Sequence, residues 1–121
     1  MSDAFTVFIR YEEKVLLMQR ADEVSDRPGA WDGIYGYGDP SDLDAVISRI
    51  VESTGIAADM LQHVRTGNSR GIAMGNSLLE VTPILFIAET NDVTPKTLYK
   101  NSEWVDPGMI GKKEYVTPSL R

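Results

Sequence analysis

The sequence predicts a mixed α/β fold of the α+β kind, one domain spanning residues 1–121, and three observations carry that reading. Strand-like runs outnumber helical ones. A single amphipathic helix stands in their midst, and no strand–helix–strand alternation recurs to wind a parallel sheet. The length of 121 residues leaves room for one domain and no second. A hydrophobic fraction of 42% and a charged fraction of 25% are those of an ordinary globular core. Folding a chain of this size hides roughly two-thirds of its unfolded surface, so no staple is required.

Ala4 to Arg10 is rich in β-branched and aromatic residues and reads as the first strand. Tyr11-Glu12-Glu13 turns the chain into a second strand, Lys14 to Arg20, whose Val15-Leu16-Leu17-Met18 centre reads as largely buried. Ala21 to Ala30 is polar, with Pro28-Gly29 as a turn signal. Trp31 to Gly38 alternates bulky residues with glycines and contains another short strand. Pro40 to Thr54 is the expected helix, with Asp39 as its cap, Pro40 in its first position and Asp42 in its third. Leu43, Val46, Ile47, Ile50 and Val51 form a core-facing stripe at helical spacing, and Gly55 ends the helix. Leu61 to Thr66 and Leu78 to Ala88 read as strands. Gly67-Asn68-Ser69 and Gly75-Asn76-Ser77 between them read as paired turn signals. Ser102 to Val105 is a last short strand, and Pro107 to Ile110 begins a short helix.

Charge and composition narrow the chemistry. The net charge of −6 argues against sequence-independent attraction to DNA or RNA, while leaving room for a local basic pocket. The absence of cysteine excludes disulfides, thiolate nucleophiles and cysteine-based metal sites. The single His63 cannot build a histidine metal cluster and reads as an ordinary strand residue. Met1-Ser2-Asp3 does not open a signal sequence, and no run approaches the length of a membrane span. A cytoplasmic protein with no membrane partner is expected.

Several segments, in order and spacing, resemble the Nudix hydrolase family over roughly residues 5 to 110. Val15-Leu16-Leu17-Met18-Gln19-Arg20 resembles the family's apolar strand ending in arginine, and Pro28-Gly29-Ala30-Trp31-Asp32-Gly33 its approach to the signature. Gly36-Tyr37-Gly38 leads to a helix closing on Glu52-Ser53-Thr54-Gly55-Ile56. Val81 to Phe86 and Glu103 to Pro107 resemble the family's late strands. The resemblance implies an α/β/α sandwich with a mixed β-sheet. It also implies hydrolysis of a nucleoside diphosphate linked to a further group, with Mg2+ or Mn2+ held by glutamates along one helix face.

The signature itself is degraded. Aligned on Gly55-Ile56, Ser48 stands at the family's arginine and Arg49 at the glutamate after it; Glu52 and Ser53 take the places of a glutamate pair. The segment from Gly36 to Ser48 is about two residues short and carries no glutamate, though Asp39 and Asp42 are partial substitutes. A hard cation needs several oxygen ligands. One helical turn from Glu52 the chain offers Ser48, Arg49, Gly55 and Ile56. Asp44 is about 12 Å away along the axis, at 1.5 Å per residue. Residues 93–102, where the family often draws a further carboxylate, contain none. Distant acids such as Glu80 or Glu103 are the alternative donors.

Glu52 is therefore the candidate catalytic residue and metal ligand, set against a solvated helix acid. Arg20 and Arg49 are the candidate phosphate contacts, the latter set against a surface ion pair with Glu52. Trp31, Tyr35 and Tyr37 either stack on a base or fill the core, with Trp31 expected in the core. Residues 67–76, including Arg70, either cradle an anion or form a plain hairpin loop. Three functions fit these residues. One is binding of a nucleotide or other phosphorylated small molecule with little or no turnover. Another is an active Mg2+- or Mn2+-dependent hydrolase, and the third a protein-interaction domain. The lost carboxylates place the non-catalytic readings first. A homodimer is expected only by analogy with relatives.

Overall fold

A computed structural model describes residues 2–23, 27–74, 77–96 and 98–112. Its element order is β1 (Ser2–Tyr11), β2 (Lys14–Arg20), β3 (Trp31–Asp32), β4 (Ile34–Tyr37), α1 (Leu43–Thr54), β5 (Leu61–Thr66), β6 (Arg70–Met74), β7 (Ser77–Ala88) and β8 (Tyr99–Val105). Short 3-10 turns occupy Ala58–Met60 and Pro107–Lys112. Among the described residues the strands join in one mixed sheet of eight. β1 runs parallel to β7, and the other pairings are antiparallel. The predicted mixed α/β order is the observed one.

The sheet forks around β1, and this fork positions the cleft described below. β1 meets β2 only at their hairpin end, Arg10 opposite Val15, and farther back pairs with β4, Phe5 opposite Gly36 and Val7 opposite Ile34. The segment from Trp31 to Gly38, expected to contain one short strand, contains two. Trp31–Asp32 pairs with β2, whereas Ile34–Tyr37 pairs with β1. Gly33 marks the crossing, because a Cβ there would run into the Val7 carbonyl and the Phe8 ring. The core between sheet and helix holds Phe5, Val7, Ile9, Leu16, Met18, Ile34, Ile84 and Phe86.

The helix differs from expectation at its start. It begins at Leu43, and its cap is Asp42, whose Oδ1 accepts the Ala45 N–H at 3.2 Å. Asp39 is engaged elsewhere, since its Oδ1 accepts both the Ser41 amide at 2.9 Å and the Ser41 hydroxyl at 2.7 Å. Pro40 thus belongs to a turn before the helix. Replacing Asp42 with alanine is expected to cost about 1 kcal/mol in thermal or urea unfolding. Asp39→Ala should leave the helix itself intact.

At the other end Gly55 adopts φ 75°, a left-handed cap that favours glycine, and donates its N–H to the Val51 carbonyl. Thr94 and Lys96 amides satisfy the Thr54 and Ser53 carbonyls. Val46 and Ile50 of the expected stripe are fully buried, and Leu43 and Ile47 pack partly against the core. Val51 is only half-buried; Ser53 and Thr54 complete the inward face instead.

β6 was not anticipated. It pairs with β7 from Arg70 opposite Val81 to Met74 opposite Ser77. Gly67-Asn68-Ser69, expected as the first turn, does not reverse the chain. β5 and β6 run in the same direction along β7, from Thr66 opposite Ile84 to Arg70 opposite Val81, and the Gly67 N–H donates to the Pro83 carbonyl between them. Gly75 and Asn76 of the second expected turn lie outside the described residues. β8 is longer than expected, starting at Tyr99. No helix among the described residues is long and apolar enough to cross a membrane.

Candidate functional site

The β4–α1 connection opens a cleft of about 670 Å³, within the range of small-molecule sites. Gly36, Tyr37 and Gly38 form one wall, Asp39 and Asp42 the rim, and Ser48, Arg49 and Glu52 the helix side, with Phe5 at the base. Gly36 must be glycine here, since a Cβ would sit 2.5 Å from the Phe5 ring. Three predicted site residues, Tyr37, Arg49 and Glu52, therefore share one cleft with Asp39 and Asp42.

Arg49 is held rather than free-swinging. Its Nε donates to the Tyr35 carbonyl at 3.2 Å, and its Nη1 lies 3.9 Å from Glu52 Oε2. Its side chain is 26% exposed and that of Glu52 61%, so the long ion pair contributes on the order of 0–1 kcal/mol. Ser53, at the second place of the family's glutamate pair, points into the interior, fully buried. At the rim, the Ser41 hydroxyl and then the Ser41 amide hold the Asp39 carboxyl below its ordinary pKa. One oxygen each of Asp39 and Asp42 is already committed to the turn and the cap. Among the described residues no three His, Cys, Asp or Glu side chains are arranged to hold a metal ion.

Arg20 and Trp31 do not line this cleft. Arg20 is 4% exposed; its Nη2 donates to Asp32 Oδ2 at 2.8 Å, and its guanidinium lies 4.1 Å from the Tyr35 ring centroid. Asp32, equally buried, takes the Gly33 N–H on its other oxygen at 2.7 Å. Trp31 sits half-buried on β3 opposite Gln19. Glu80 and Glu103 lie on β7 and β8, also away from the cleft lining. His63 bonds Thr66 and meets the Phe86 ring edge-on. Arg70, in the segment weighed as an anion cradle, lies on β6.

Sequence reasoning overlooked Asp32, Tyr99 and the part Tyr35 plays in holding Arg49 through its carbonyl. Tyr35 stacks edge-on to both Tyr37 and Tyr99, and its N–H donates to the Tyr99 hydroxyl oxygen at 2.9 Å. Burial pushes the Tyr99 phenol well above its usual pKa, so it stays neutral. An acid between Trp31 and Gly33 in a buried strand was the available signal for Asp32.

Neither a family sequence profile nor a curated protein sequence matches the chain. Solved structures do match. An Ap4A hydrolase from C. elegans superposes with a TM-score of 0.75 at 19% identity, over 93% of this chain and 85% of that one. A MutT protein from Methanosarcina mazei gives 0.75 at 21% identity, over 96% and 84%. The Nudix domain of Shewanella oneidensis NrtR, complexed with ADP ribose, gives 0.69 at 12%, over 94% and 78%. The chain has the Nudix fold.

Proposed function

We propose that this Nudix-fold chain binds a nucleotide or another phosphorylated small molecule in the β4–α1 cleft, with little or no hydrolysis. The observation that carries the reading is Arg49, a fixed cation anchored on the Tyr35 carbonyl in the cleft where the family signature has a carboxylate. A guanidinium offers a planar fork of donors to phosphate oxygens. It does not lower the pKa of a bound water as a metal ion does, so it supplies charge without a nucleophile. Tyr37, 59% exposed beside Tyr35, offers its ring to a base.

The cleft offers a divalent ion few uncommitted oxygens. Glu52 is the one carboxylate that the cleft-facing side of α1 contributes, Arg49 stands one turn away, and Asp39 and Asp42 are engaged at the helix start. Calorimetric titration with Mg2+ or Mn2+ is expected to show no micromolar binding. Micromolar binding that disappears in Glu52→Gln would restore the metal site.

A metal-dependent hydrolase is the second reading, favoured by one observation: Asp39, Asp42 and Glu52 border the same cleft as Arg49, leaving it net negative. Incubation with ADP-ribose, Ap4A and nucleoside triphosphates in Mg2+ or Mn2+ separates the two. Binding without product release supports the binder. Turnover abolished by Glu52→Gln establishes the hydrolase.

A further inference from the structure

We infer that Arg20 and Asp32 are positioning residues for the cleft arginine, acting through Tyr35, and that Arg20 touches no ligand itself. The inference rests on the reading that the cleft binds through Arg49. Three contacts in series, with a fourth bracing Tyr35, carry it. The Asp32 carboxylate fixes the Arg20 guanidinium at 2.8 Å. The carbon of that guanidinium lies over the Tyr35 ring, 4.1 Å from its centroid. Tyr99, which pairs with Arg20 across β2 and β8, also braces Tyr35, edge-on to the ring and through the Tyr35 N–H. The Tyr35 carbonyl then receives Arg49 Nε at 3.2 Å.

Burial decides the direction of the argument. Arg20 and Asp32 are 4% and 1% exposed, so neither reaches a ligand without the core opening. A desolvated cation against a tyrosine face is held more strongly than an exposed one. Retaining a buried ion pair is no gain in stability by itself, because an apolar pair of similar volume often serves as well. What an apolar pair would not reproduce is a charged plane fixing the ring, and with it the carbonyl that orients Arg49. Tyr35 is the joint through which a buried pair outside the cleft lining sets a residue that lines it.

The test uses NMR on the whole chain. In the parent, the Arg49 Nε–H resonance, assigned by its loss in Arg49→Lys, should be shifted and protected from exchange by its bond to Tyr35. The double variant Arg20→Met/Asp32→Leu keeps the interior apolar and neutral. It is expected to fold, to lose that shift and protection, and to bind ADP about tenfold more weakly. Arg20→Lys, which keeps the charge beside Asp32 but cannot lay a plane on the ring, should show the same spectroscopic change. Circular dichroism confirms the fold of each. An unaltered Arg49 resonance in whichever of these variants folds would overturn the inference. The resonance is read without ligand, so a parent that binds no ADP defeats the binding reading and still leaves the positioning decided.

Discussion

Replacing Asp32 with alanine is expected to destabilise the fold by about 3–5 kcal/mol, because it leaves the Arg20 guanidinium buried without its carboxylate. The side chains of the pair are 5% and 1% exposed, so water is poorly placed to take over. The change also strips the Gly33 N–H of its acceptor at the point where β3 passes to β4. Urea unfolding monitored by tryptophan fluorescence measures the loss. A cost below 1 kcal/mol would mean that solvent reaches Arg20 and that the buried pair is misdescribed. Arg20→Met/Asp32→Leu should lose much less than Asp32→Ala, since it removes both buried charges together.

Ile50→Ala is expected to cost about 2–5 kcal/mol, the range for a large aliphatic side chain removed from a packed core. Ile50 is fully buried at the centre of the inward helix face. Val51, next to it, is only half-buried, so Val51→Ala should cost clearly less. The contrast fixes the rotation of α1. That rotation turns Arg49 and Glu52 towards the cleft and Ser53 towards the interior. Equal costs at the two positions would mean a differently turned helix and a different set of cleft residues.

The helix and the long strands were legible because their patterns are local. Apolar spacing marked α1, β1, β2 and most of β7, and a glycine marked the helix end. Asp39 misled because a single aspartate before a proline satisfies the same rule as the true cap; only the Ser41 bonds show which acid is already used. β6 escaped because Arg70 and Gly71 give no strand signal on their own, and its order comes from pairing along β7. The site divided in the same way. Arg49, Glu52 and Tyr37 lie within one stretch of chain, so helical spacing and the neighbouring loop brought them together. Arg20 was read as facing a ligand because it ends a strand, but its partner lies twelve positions along in the chain. No local pattern announces that an arginine and an aspartate from separate strands will close on each other behind a tyrosine.

In the proposed function, Arg49 supplies the charge for metal-independent binding. Hydrogen bonds to a charged group contribute about 1.5–3 kcal/mol each, roughly ten- to a hundredfold in affinity. Titration of ADP into the parent and into Arg49→Glu, both with excess chelator, measures this directly by calorimetry. Binding by the parent, weakened at least about tenfold in the variant, is the predicted result. Equal affinity in the two proteins, or binding by the parent only after Mg2+ is restored, would contradict it.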